Sequence, residues 1–155
     1  PGTSAPNAPF WALETALDVE WAHAIAPEAK ILLVETASDT LDGLLAGVDI
    51  AVGSRYRATV VSMSWGGLEF ADEAATEDGH FVQDNVTFFA AAGDSGNGTL
   101  YPAASPYVMS VGGTKLHVDK DGNYLEERAW SGSGGINASM RYCLGSACIR
   151  SASGA

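Results

Sequence analysis

Long apolar runs are missing from this chain. No uninterrupted hydrophobic stretch approaches the ~18 residues a membrane helix needs, so no segment is expected to span a bilayer. Basic side chains are scarce: 8 Lys and Arg stand against 19 Asp and Glu, a formal charge of −11. A nucleic-acid binder neutralises phosphates with Lys and Arg, so that class is excluded, as is docking on an anionic membrane. Few basic groups also suit an acidic medium, where protonating carboxylates would otherwise leave a large positive charge. Cysteine is nearly absent. Cys143 and Cys148 are too few for a disulfide framework or a zinc site. Their spacing permits a small disulfide loop, and two unpaired thiols are an equal reading.

Charged residues reach only 17% and hydrophobic ones 46%, which excludes a disordered acidic tail. Length 155 fits one domain. There is no initiator Met, no basic n-region and no apolar h-region at the start. Residues 1–9 have linker composition, with Pro1, Pro6 and Pro9 among small polar residues. The natural N-terminus is therefore expected to lie upstream, and a signal peptide is not legible.

Between the ends, helical and strand patterns alternate. Residues 10–26 read as a helix with apolar Trp11, Leu17, Trp21 and Ile25, capped by Asn7 and stopped by Pro27. Residues 31–34, 59–62, 86–91, 108–111 and 115–118 read as strands. Residues 39–52 read as a helix with Asp39 near its start, and 71–83 as an acidic surface helix. Apolar strands alternating with helices imply an α/β fold whose mainly parallel sheet is covered on both faces. No internal repeat is visible.

Ligands gather at the carboxyl ends of strands in such sheets. Two loops there carry suggestive chemistry. Ser64, Trp65, Gly66 and Gly67 follow one strand, and small residues let an extended ligand approach the backbone. Asp94 sits within Ala91-Ala92-Gly93-Asp94-Ser95-Gly96 after another strand. No GxGxxG or GxxxxGK spacing occurs, so a nucleotide site is disfavoured. On the first helix Glu14 and Asp18 are four residues apart and project from one face. Like charges at this spacing destabilise a helix. Brought close and partly buried, they would share one proton and supply a base that works below neutral pH. Alone, the pair reads as a solvated acidic face, with Glu20 and Glu28 nearby.

Taken in order, these segments resemble the sedolisin family of serine-carboxyl endopeptidases. The matching stretches are Glu14 to Pro27, Ser62-Met63-Ser64-Trp65-Gly66, Ala91 to Gly96, Tyr101-Pro102-Ala103-Ala104-Ser105-Pro106 and Val111-Gly112-Gly113-Thr114. The resemblance runs from about Phe10 to Gly135. It implies a subtilisin-like three-layer α/β domain, here incomplete, and cleavage of peptide bonds by a Ser-Glu-Asp mechanism. Glu14 resembles the general base and Asp18 the carboxylate that orients it. Asp94 resembles the oxyanion-hole residue, which must be protonated to donate a hydrogen bond. Ser64, Trp65, Gly66 and Gly67 resemble the segment that pairs with substrate backbone. His23, His80 and His117 have no catalytic place in this scheme.

Two departures stand out. The family's nucleophile lies in a Gly-Thr-Ser motif, and no such motif follows Asp94 here; Gly2-Thr3-Ser4 precedes the base. The calcium expected for the full family domain would also bind beyond this chain, with none expected in it. After Gly135 the family pattern stops, acidic residues vanish and both cysteines appear. The expected organisation is a linker over 1–9, a partial peptidase domain over 10–135, and a divergent tail over 136–155. A truncation, disorder or a reading-frame slip near Asn137 would explain that tail. The expected partners are a peptide or protein substrate and the missing C-terminal part of the domain, with neither nucleic acid nor membrane. The resemblance implies secretion. Two other readings stand beside it: a non-catalytic peptide-binding module, and a small-molecule-binding α/β domain.

Overall fold

A computed structural model describes residues 9–135, and residues 142–144 and 147–149 through their backbone. Helix α1 spans Pro9–Ile25 and α2 spans Leu41–Val52. Thr40 caps α2, accepting a bond from the Gly43 amide through its side chain. That satisfies a donor the first turn leaves unpaired. Strands β1 (Val60–Met63), β2 (Thr87–Ala91) and β3 (Val108–Val111) form a parallel sheet in the order β1-β2-β3. Between β1 and β2 lie α3 (Glu73–Thr76) and a 3₁₀ turn at Asp78–Phe81.

The register pairs Met63 with Ala90 and Phe88 with Val108. Neighbouring partners in a ladder share a face, and alternate residues point to opposite faces. Val61, Met63, Phe88, Ala90 and Val108 therefore line one face. Leu45 and Val48 of α2, Phe81 and Tyr101 complete its core. Phe81 meets Phe88 edge-on, with centroids 5.4 Å apart, a favoured geometry for aromatic pairs. His80 Nδ1 lies 2.8 Å from Asp49 Oδ1, tying the 3₁₀ turn to α2.

The opposite face carries Val60, Met109 and Val111, which are 60%, 56% and 49% exposed. The sheet is thus covered on one side and open on the other. Beyond β3, Thr114–Val118 (β4) and Tyr124–Ala129 (β5) form an antiparallel hairpin.

Three expectations need correction. Residues 31–34 make no strand: a strand needs a ladder partner, and among the described residues this stretch has none. Its Ile31, Leu32 and Leu33 are exposed and only Val34 is half-buried. The helix expected over 71–83 is two short pieces. Asp72, in a left-handed conformation (φ 68°), keeps the first piece from starting before Glu73, and Glu77 (φ −115°, ψ −27°) departs from helical geometry between the two. Strand β5 was not expected at all.

In the tail, Tyr142–Leu144 (β6) pairs antiparallel with Ala147–Ile149 (β7), setting Cys143 opposite Cys148 along the backbone. Their side chains, Asn7 and Gly2-Thr3-Ser4 lie outside the described residues, as does most of 136–155.

Candidate active site

Helix α1 has no buried residue. Trp11, Glu14 and Thr15 are half-buried, while Phe10, Leu13, Leu17, Trp21 and Ile25 are exposed. With 3.6 residues per turn, positions 11, 14, 15 and 18 share one face. Glu14 is half-buried while Asp18, one turn on, is exposed; of the apolar positions read from the sequence Trp11 is half-buried and Leu17, Trp21 and Ile25 are exposed. Glu14 and Asp18 do share a side of the helix, as their spacing required. The hydrogen bond Asp18 makes is to Ser64, whose Oγ donates to Asp18 Oδ1 at 2.7 Å.

Ser64 stands directly after β1, whose last residue, Met63, is 3% exposed. Ser64, Trp65 and Gly66 line a pocket of about 390 Å³ together with Asp94, Trp11 and Leu100. The two strand-end loops singled out in the sequence thus meet in one cavity, with Asp18 bonded to its Ser64 wall. Asp39 lines it too. Gly67 is placed differently. Its amide donates to the Tyr101 carbonyl, and the Tyr101 amide donates back to Gly67, both at 2.9 Å. Gly67 is the anchor of the segment, and Ser64 to Gly66 span the stretch between strand and anchor.

Tyr101 is a stiff point for that anchor. It is 2% exposed, packs edge-on against Phe70 and Phe81, and donates its hydroxyl to Asp78 Oδ1 at 3.3 Å. Burial, with the neighbouring Asp78 carboxylate, holds its phenol well above the ordinary tyrosine range. Burial also raises the Glu73 carboxyl, partly offset by the bond it accepts from the Phe70 amide.

The Asp94 loop depends on residues whose role sequence reasoning missed. Gly93 has φ +112°, a conformation side chains rarely adopt. Its carbonyl accepts from the Gly134 amide at 2.6 Å. The Gly96 amide donates to the Gly132 carbonyl, and that of Gly135 to Gly98. The Trp130-to-Gly135 run is thus a brace under the loop. The signal was its density of glycines, which permits such close approach.

Among the described residues no group of three or more His, Cys, Asp or Glu is arranged to hold a metal ion. No described helix is long and apolar enough to cross a membrane.

Known proteins carry the same pattern. The family model described as "Subtilase family" (Peptidase_S8) matches residues 11–144, running past Gly135. Kumamolisin of Bacillus sp. (strain MN-32) is 39% identical, over 83% of this chain and 26% of its own length. The major intracellular serine protease of Bacillus subtilis (strain 168) is 30% identical, over 59% of this chain and 32% of its own. A solved structure of Pseudomonas sedolisin, a serine-carboxyl proteinase complexed with two molecules of pseudo-iodotyrostatin, has a TM-score of 0.51 and 28% identity. It covers 63% of this chain and 32% of that one. This chain spans about a quarter to a third of the relatives it matches. The sedolisin resemblance and the subtilisin-like α/β fold are borne out.

Proposed function

Because the chain belongs to the subtilase family, we propose that it supplies the base side and substrate wall of an acid-acting serine-carboxyl endopeptidase. Glu14 takes the proton of a serine nucleophile, and Asp18 orients Glu14 and shares its proton. Protonated Asp94 donates to the oxyanion that forms as the carbonyl is attacked. Ser64, Trp65 and Gly66 hold the peptide extended against the strand end. One observation carries this reading: Asp94 and Ser64-Trp65-Gly66 line a single pocket, and Ser64 is hydrogen-bonded to Asp18.

No Gly-Thr-Ser follows Asp94 in these 155 residues. The nucleophile is therefore assigned to sequence outside them, and the chain alone is expected to bind peptide without cleaving it. The calcium of the family domain is assigned to that outside sequence as well. The site is expected to act extracellularly, on peptide or protein substrates.

Peptide hydrolysis at acidic pH tests the proposal. The 155-residue chain should be inactive. The same chain expressed with the gene sequence that follows it should cleave, and Glu14→Gln should abolish cleavage. Cleavage by the 155 residues alone would refute the outside nucleophile. Binding of peptide by the longer protein with no cleavage in any buffer would favour the non-catalytic peptide module.

A further inference from the structure

Ser64 occupies two relationships at once. Its backbone opens the segment that the proposed function gives to the substrate. Its hydroxyl reaches 46 positions back in sequence to Asp18 Oδ1, at 2.7 Å. Helix α1 has no buried residue of its own, so few contacts fix where its carboxylates stand. Met63, next to Ser64, is held in the core. The hydroxyl therefore ties a helix carboxylate to a strand end held in the core.

A carboxylate has two acceptor oxygens, and this bond engages one of them. Oδ2 is not engaged by this bond, and the proposed function gives it the proton shared with Glu14. A hydrogen bond to an ionised group is among the stronger side-chain interactions, and it is directional. From this we infer that Ser64 is a positioning residue that couples peptide docking to the carboxylate pair. A peptide laid along Ser64 to Gly66 sets the Ser64 backbone, the Ser64 hydroxyl sets the Asp18 rotamer, and Asp18 in turn presents Glu14. The inference rests on the proposed substrate role of this segment. Of the charged groups nearby, Asp39 and Asp94 line the pocket, and Glu14 stands one turn before Asp18 on α1.

The experiment uses the 155-residue chain carrying carbon-13 in its aspartate carboxyls, titrated with a tripeptide blocked at both ends as its acetyl and amide derivative. The Asp18 signal is assigned by its loss in Asp18→Asn. In the unsubstituted chain, peptide should shift the Asp18 carboxyl signal. Ser64→Thr, which keeps the hydroxyl, should retain that response. Ser64→Ala should still bind peptide, roughly threefold to tenfold more weakly, with the Asp18 signal no longer responding. A purely structural tether would lower the melting temperature without separating binding from the Asp18 response. Where Ser64→Ala melts early, Ser64→Cys, of similar shape and weaker donor strength, is read in its place. An unchanged Asp18 response in the alanine or cysteine variant overturns the coupling and leaves the peptide site standing. A lost response in Ser64→Thr overturns the role of the hydroxyl. Absence of peptide binding by the unsubstituted chain overturns the coupling together with the proposed substrate wall.

Discussion

Gly134 donates its amide to the Gly93 carbonyl at 2.6 Å, and this bond seats the 132–135 run beneath the loop that carries Asp94. The approach is so close that a Cβ on Gly134 would overlap the Ala92 carbonyl. Gly134→Ala must therefore push the brace off the loop. The expected cost is roughly 1–3 kcal/mol of stability, the usual range for overpacking. Peptide affinity should fall with it, because Asp94 loses its fixed position. Thermal melts and peptide titration of the variant check both; an alanine variant that melts and binds like the parent would show that the brace does not position Asp94.

Tyr101 makes the alkaline limit of stability legible. Its phenol is held above the ordinary value of about 10 in the folded state. Below the unfolded value neither state ionises the phenol, so stability is unaffected by it. As pH rises past about 10 the unfolded chain releases the proton first, and stability is lost until the folded phenol also titrates. Denaturant unfolding between pH 8 and 11 should show this fall. Tyr101→Phe should remove that part of the slope. At neutral pH the same variant should cost roughly 1–3 kcal/mol, since Asp78, 4% exposed, loses its hydroxyl partner.

The two faces of the sheet should respond differently to truncation. Phe88 is 1% exposed and packs against Phe81. Phe88→Ala is expected to cost about 3–5 kcal/mol, enough to unfold a marginal chain. Met109, on the open face and 56% exposed, should tolerate Met109→Thr within about 0.5 kcal/mol. Comparable losses at both positions would mean that the open face is covered in solution.

That open face, with the exposed stripe of α1, should also set the chain's solution behaviour. Exposed apolar patches beyond a few hundred Å² mark interaction surfaces. The 155-residue chain is expected to be marginally stable or to self-associate. Sedimentation and melting across a range of concentrations test this. A cooperative, concentration-independent melt of a monomer is the contrary result.

The elements legible in the sequence are those whose partners lie close along the chain or whose pattern is intrinsic. The α2 stripe of Leu41, Leu44, Leu45 and Val48 and the apolar runs of β1, β2 and β3 needed no tertiary context. Residues 31–34 read as a strand because they are continuously apolar, yet a ladder partner decides strand formation. Strand β5, Tyr124–Ala129, was hidden by its charges, Glu126, Glu127 and Arg128. Its hairpin turn was visible in Asp121-Gly122, where Gly122 has φ +82°. Asp119 accepts from the Asp121 and Asn123 amides and the Asn123 side chain, which holds its carboxyl below the usual range.

The candidate site was legible as motifs and not as contacts. Glu14 and Asp18 could be placed on one helix face from spacing alone. The bond from Ser64 to Asp18 and the use of Gly67 as an anchor on Tyr101 both join residues far apart in sequence. No local pattern encodes such joins; they follow from how α1 sits over the strand ends.

Catalytic substitution separates the proposed roles. In the chain expressed with its following gene sequence, Asp94→Ala should lower kcat by roughly 10²–10³, the usual effect of losing one oxyanion donor. KM should change little, because the interaction forms as the carbonyl is attacked. A change confined to KM would make Asp94 a binding residue instead.

The most direct measurement of the central claim is the pH–rate profile of peptide cleavage by that longer protein, with and without Glu14→Gln. The account predicts a maximum at acidic pH and cleavage abolished by the substitution, with the fold intact by circular dichroism. A neutral or alkaline maximum that survives Glu14→Gln would contradict it.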